Sequence, residues 1–476
     1  MTPIAASAPT GYLLACIAGT VALLLLLVGR LRVHAAIGLS VAALALGLAS
    51  GLPLERVPLA FTAGVGDMMG RIAIILGMGA LLGQLLASSG AGAALGKAMV
   101  ERCGPAGMPW ALLCLGILVG IPVFFEVGLV LLMPIIADAA RRSGRPPILV
   151  SLPVLAGLSI THGLLPPHPA ALLAAAEYHA DLAHVMFWGL AVGVPAAVPA
   201  GPLLQRVLFR LWERRRKLAG DAPLPAIAAA HESHHAALPI AAAGPDVVLP
   251  RPAGALRAIA VILLPVALIL LGGWADAMTA RGSRANQWIH LAGYPDVAMV
   301  IGALVALATL GPRVQDRDYR VRGGLRRLSA DSFGPIAGPL VILAAAGGLS
   351  GVLRASGAAQ AAVTLAMHAH MPPLVLAWML AAAVRVSMGS ATVAMAVASG
   401  ILAPLAATMG VRPEMLVLAT GSGSLLLSHV NDSGFWLVGS LFRIDVKTTL
   451  ATWSVLETVL SVSGLVLTLL LAAVLR

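Results

Sequence analysis

Charge is what this chain has least of. Asp, Glu, Lys and Arg together make up 11% of its 476 residues, against 59% apolar residues, whereas a water-soluble domain carries roughly a quarter of its residues charged. A soluble fold is excluded on that ground. Aromatic residues are scarce too, at 4%, which disfavours a site that stacks a ring and favours an open-chain ligand held by hydrogen bonds. Cys16, Cys103 and Cys114 lie far apart, in or beside apolar segments and without metal or redox spacing, so they read as free thiols. The chain has no cofactor motif, and neither a cofactor nor a metal is expected.

What is present instead is a series of apolar stretches of about 20 residues from Gly11 to the C-terminus, each long enough to cross a hydrocarbon core. The run Tyr12 to Val28 lacks a basic leader and is too long for a cleaved signal, so it is expected to remain as the first span. A formal net charge of +11 does not mark a nucleic-acid partner, because the basic residues sit in loops between apolar runs, where they set topology. Arg30 and Arg32, Lys97 and Arg102, Arg141, Arg142 and Arg145, Arg210 to Lys217, and Arg313 to Arg327 are all expected on the cytoplasmic side. The reading is a multi-pass protein of the cell inner (cytoplasmic) membrane with both termini outside. The segment Trp110 to Ala139 runs between two of these basic loops, which a single crossing would separate. A re-entrant hairpin broken at Gly120-Ile121-Pro122 keeps them together.

Two phrases occur twice. Thr161-His162-Gly163 returns as Ser428-His429-Val430 and Ser89-Gly90-Ala91 as Ser356-Gly357-Ala358, both displaced by 267 positions. One displacement shared by unrelated phrases marks a duplicated chain, a common plan of secondary transporters. Shifted by 267, the hairpin falls at about Ala377 to Leu405, broken around Val386 to Ser390. About five crossings and one hairpin per copy follow, at roughly 11–29, 33–54, 71–90, 148–165, 183–209, 256–275, 295–311, 335–353, 414–438 and 450–474. An odd number of crossings inverts the second copy, and Arg412 standing alone where the first copy has Arg141, Arg142 and Arg145 fits that inversion. The fold class expected is therefore an all-α polytopic membrane protein of two inverted-topology repeats, about ten full spans with two re-entrant hairpins and broken helices. Residues 1–212 form the first repeat, 213–252 a cytoplasmic linker and 253–476 the second repeat. His231-Glu232-Ser233-His234-His235 in the linker satisfies a zinc-protease pattern, but no core supports it and no third ligand is placed, so a chance His-rich tract is preferred.

Polar groups at membrane depth gather at four breaks, where backbone freed from the helix is tolerated only beside protein or a water-filled cavity. Pro122-Val123-Phe124-Phe125-Glu126-Val127 places the carboxylate of Glu126 in the first hairpin, a proton-carrier candidate weighed against a purely structural acid. In Ser159 to Pro169, Gly163, Pro166 and Pro167 interrupt the helix and leave Thr161, His162 and His168 to face a solute. Arg385, Ser387, Gly389, Ser390 and Thr392 surround the second hairpin break, with Arg385 offered to a carboxylate or to Glu126 or Asp432 as an ion-pair partner. Ser428, His429, Asn431 and Asp432 form the densest polar cluster in any span, Asp432 being the second coupling candidate. Asp67 with Arg71, Asp181 and Glu457 are read as structural.

The phrases Phe-Phe-Glu-Val at 124–127, Thr-His-Gly-Leu-Leu-Pro-Pro-His-Pro at 161–169, Gly-Ser-Ala-Thr-Val-Ala at 389–394 and His-Val-Asn-Asp-Ser-Gly-Phe-Trp-Leu at 429–437 resemble the gluconate permease family of proton symporters, from about Gly64 to the C-terminus. The resemblance implies uptake of gluconate or a related sugar acid with protons, and a fold of two inverted repeats with hairpins. Where the family commonly has Lys-Leu-Leu-x-Asp-Ser-Gly, this chain has Gln84-Leu85-Leu86-Ala87-Ser88-Ser89-Gly90, the loss of a positive and a negative group four residues apart.

Together these features predict a secondary active transporter, not an enzyme, that imports a small organic anion with protons. The hydroxyls and amide of Thr161, Ser390, Thr392, Ser428 and Asn431 would hold the polyol, and His162, His168, His429 or Arg385 its carboxylate. The lipid bilayer is the other partner, and a homo-oligomer is compatible with the plan. A sodium-coupled carboxylate carrier is the alternative within transport; a channel or an intramembrane enzyme comes from other classes.

Overall fold

A computed structural model describes residues 9–218, 254–314, 324–358, 371–406, 410–430 and 432–475. The linker from 219 onward, with its His231 motif, and Asn431 lie outside the described residues. Every regular element among the described residues is helical, as the composition predicts. The first half contains α1 (Thr10–Leu24), α2 (Ala35–Ala49), α3 (Arg56–Ser88), α4 (Ala91–Gly120), α5 (Phe125–Ser143), α6 (Pro147–Leu164), α7 (Pro169–Glu177), α8 (Leu182–Val198) and α9 (Leu204–Leu218). The rest contains α10 (Ala255–Gly273), α11 (Arg284–Gly293), α12 (Pro295–Leu310), α13 (Gly324–Asp331), α14 (Gly334–Ala355), α15 (Pro373–Met388), α16 (Ala391–Ala406), α17 (Pro413–Ser424), α18 (Ser433–Phe442) and α19 (Val455–Val474).

Eight helical stretches among the described residues are long and apolar enough to span a membrane. Three elements differ from the expected spans, the one at 414–438 being two short helices, Pro413–Ser424 and Ser433–Phe442. α2 has 15 residues, about 22 Å at 1.5 Å per residue, which is shorter than a hydrocarbon core. α3 begins at Arg56 and runs for 33 residues, well before the expected start near 71. Gly64, Gly66, Gly70 and the pair Asp67–Arg71 look like a boundary in sequence, yet the pair is a local bond at 3.2 Å along the helix. The glycines serve packing instead: a Cβ on Gly351 of α14 would lie 3.0 Å from the Cα of Gly64. Lipid offers no hydrophobic drive for helix association, so small residues that let backbones touch decide which helices pair. Gly116 of α4 and Gly157 of α6 make a second such contact.

The breaks occur at the expected places. α4 stops at Gly120 and α5 starts at Phe125; α15 stops at Met388, capped by Gly389 at φ +77°, and α16 starts at Ala391. The arms of each unit pack on each other. α6 ends at Leu164 before Pro166 and Pro167, and α17 ends at Ser424 before α18 resumes at Ser433. Ser89-Gly90-Ala91 and Ser356-Gly357-Ala358 also fold alike: the glycines have φ of +70° and +71°, and each serine Oγ accepts from the second following N–H, at 3.4 and 3.3 Å. α6 and α7 are almost wholly buried, so the centre of the molecule is a broken span.

Candidate functional site

Four helices begin at one cavity of about 350 Å³, lined by Phe124 to Val127 from the start of α5, Pro169 from α7, Ser390 to Thr392 from α16 and Asp432 to Gly434 from α18. The first turn of a helix has N–H groups without intrahelical acceptors and carries the positive end of the helix dipole. The starts of α5, α16 and α18 have such groups and α7, which presents Pro169 without an N–H, adds only its dipole; together they make an environment for an anion. Ser159 and His162 of α6, Pro335 and Pro339 of α14, Arg385 of α15, and Trp453 and Glu457 on the α19 span complete the wall.

At the centre is a buried ion pair. Arg385 Nη2 lies 2.6 Å from Asp432 Oδ2, with the two side chains 4% and 10% exposed. Arg385 is therefore paired with Asp432, one of the two partners weighed from sequence. Its Nη1 donates to the carbonyl of Gly389 at 2.5 Å, so the guanidinium also holds the second hairpin break in shape. Asp432 Oδ1 caps α18 by accepting from Gly434 N–H at 3.1 Å, and Oδ2 accepts from Ser428 Oγ. Trp453 Nε1 donates to Ser428 Oγ at 2.7 Å. Arg385 Nε and His162 Nδ1 are buried polar atoms with no hydrogen-bond partner among the described residues, and both residues face the cavity.

Of the residues singled out in the sequence, Glu126, His162, Arg385, Ser390, Thr392 and Asp432 come together on the cavity wall. The others sit around it. Thr161 Oγ1 donates back to the carbonyl of Leu158 at 2.7 Å. His168 Nε2 bonds the carbonyl of Gly120 at 2.5 Å, tying the α6–α7 break to the first hairpin, and its ring lies 5.5 Å from that of His162. Ser387 is exposed and donates to Ala383 O at 2.8 Å; His429 Nε2 donates to Val386 O at 3.1 Å. Ser428 and Gly389 act on the ion pair as described.

Glu457, structural on the sequence alone, lies on the cavity wall. It is 1% exposed, and its Oε1 has no hydrogen-bond partner among the described residues. A sequence signal existed: it is the one charged residue between Leu450 and Leu475, and an acid inside an apolar span has a functional reading by default. Ser159, at the start of the second break, and Trp453 also line the cavity; nothing in the local sequence marks Trp453.

A model of the GntP family permeases matches residues 12–474. The gluconate permease of Pseudomonas aeruginosa is 40% identical over 379 residues, 79% of this chain and 79% of that protein. The Gnt-II system L-idonate transporter of Escherichia coli is 33% identical over 378 residues, 79% of this chain and 80% of that protein. In fold, the chain is similar to the crystal structure of the YdaH transporter of Alcanivorax borkumensis, with a TM-score of 0.61, 20% identity and 89% of each chain covered.

Proposed function

The chain belongs to the GntP permease family, and from that premise and the cavity we propose that it imports gluconate or a related small sugar acid with protons across the inner membrane. A permease, not an enzyme, is what the family and the named relatives are. The observation that carries the substrate class is the meeting of four helix N-termini with Arg385 in one cavity, a size within the roughly 300–1,000 Å³ of small-molecule sites. The acid's carboxylate accepts from Arg385 and His162, and its hydroxyls bond Ser390 and Thr392. Residues 1–212 and 253–476 act as two inverted repeats, with both termini outside, that rock about this site.

Coupling follows from competition for one guanidinium. Arg385 is already neutralised by Asp432, and an anion that takes Arg385 leaves a buried carboxylate without compensation, which is costly. A proton on Asp432 removes that cost, so anion and proton bind together. Glu126, on the cavity wall at the start of α5, is the second proton carrier.

The test is uptake of labelled D-gluconate by the purified protein in proteoliposomes. Accumulation driven by an inwardly directed proton gradient, and absent with a sodium gradient alone, is expected. Sodium-driven uptake without a pH requirement overturns proton coupling; no saturable uptake of any sugar acid under either gradient overturns the transport reading.

A further inference from the structure

One guanidinium faces three carboxylates in the cavity: Arg385 against Glu126, Asp432 and Glu457. Such a site repels the anion that its helix termini attract unless some of the acids are neutral when the anion arrives. The three acids are placed differently. Asp432 is bound to Arg385, to Ser428 and to the start of α18. Glu126 is exposed to the cavity space, where water can solvate its charge. Glu457 has less than either: it is buried, Oε1 lacks any hydrogen-bond partner among the described residues, and what bonds its carboxylate is the uncharged hydroxyl of Ser159.

We propose that Glu457 binds a transported proton, so that the anion is occluded only when this carboxyl is neutral. The inference rests on the reading of the chain as a sugar-acid symporter and adds a proton site that is separate from the Asp432–Arg385 pair. The charges facing Glu457 are those of Arg385 on α15 and Asp432 before α18, with His162 of α6 and Glu126 of α5 on the same cavity. α8 and α17 also pack on α19, and their titratable residues, His184 and Glu414, sit in their first turns. When the cavity is open, water reaches Glu457 and the proton exchanges. When it closes around an anion, a charged Glu457 would be left buried and unpaired, at a cost that a proton removes. The anion itself is not bonded to Glu457, so exchange of one bound anion for another needs no net proton movement.

Two measurements on the same proteoliposomes separate proton binding from structure: D-gluconate accumulation driven by a proton gradient, and gluconate counterflow at equal pH on both sides. Glu457→Gln, which keeps the side chain's shape and fixes it neutral, is expected to lower accumulation by about tenfold at a gradient of about one pH unit, one coupled proton fewer, while counterflow stays within about twofold and its pH profile shifts. Accumulation and pH dependence like those of the wild type overturn the proposal. If Glu457→Gln loses both activities, Glu457→Asp decides. Accumulation retained with a displaced pH profile upholds proton binding; an unchanged profile or parallel loss of both activities overturns it. A wild type that takes up no sugar acid under any gradient would instead sink the transport reading, and that result is distinct from any behaviour of the variants.

Discussion

Arg385 is where the demands of folding and of binding collide. Its guanidinium satisfies Asp432 at 2.6 Å and Gly389 O at 2.5 Å, yet it is also the cation on the cavity wall. Removing one partner of a buried ion pair strands the other charge and typically costs about 3–5 kcal/mol. Arg385→Ala is therefore expected to lower the melting temperature of the purified protein and abolish gluconate uptake. Asp432→Ala in the same chain should recover part of the stability without restoring uptake, a coupling that a double-mutant cycle reads directly. Additive losses would show that the pair is not the stabilising unit. The pair was half legible in the sequence: a lone arginine and a lone aspartate inside apolar segments announce themselves, but their meeting across 47 positions depends on how α15 and the α17–α18 break pack. Hydroxyls were less legible still. Thr161 sits beside a break yet bonds its own helix, because a Thr can always satisfy itself on a carbonyl of the preceding turn.

Helix pairing depends on glycines that have no side chain to announce their contacts. A Cβ on Gly157 of α6 would lie 2.7 Å from Ile117 N and 2.7 Å from Leu113 O on α4, so the two helices would have to separate. Gly157→Ala is expected to destabilise the protein by about 1–3 kcal/mol and to weaken gluconate binding, since the same helix carries Ser159 and His162. Gly66, where a Cβ meets nothing within 4 Å, is the control: Gly66→Ala should be neutral or stabilise by about 0.5–1 kcal/mol through helix propensity. Melting curves of both variants check this, and equal effects would refute the close-packing account. The same asymmetry governs what the sequence revealed about elements. The breaks at Gly120 to Pro122 and Gly163 to Pro167 were readable because Gly and Pro meet there, and those near Gly389 and Ser428 because polar residues gather in an otherwise apolar run. The start of α3 was not, because Gly64, Gly66, Gly70 and the pair Asp67–Arg71 look the same whether they end a helix or pack one helix on another.

At the scale of the whole molecule, charge bias and the 267-residue displacement lead to an arrangement that thiol labelling can test. Cys103 is exposed and lies beside Arg102 at the Gly104 kink within α4, a basic stretch read as cytoplasmic. If α4 and α5 form a re-entrant hairpin, the basic stretch after α5 lies on that same face, and a single crossing would put it on the other. The matched loop of the second copy, which holds Arg412, must face the opposite side if the copies are inverted. Three single-cysteine versions, keeping Cys103 or carrying Ser143→Cys or Arg412→Cys with the native thiols replaced, resolve both points with a membrane-impermeant maleimide. Cys103 and the Ser143→Cys variant are expected to label only from the cytoplasmic face, in inside-out vesicles. The Arg412→Cys variant should label only in right-side-out vesicles. Ser143→Cys labelling opposite to Cys103 would replace the hairpin with a full crossing, and Arg412→Cys labelling on the same side as Cys103 would mean that the copies are parallel. Parallel copies would leave the four helix N-termini around Arg385 without the symmetry that lets one cavity open alternately to both sides of the membrane.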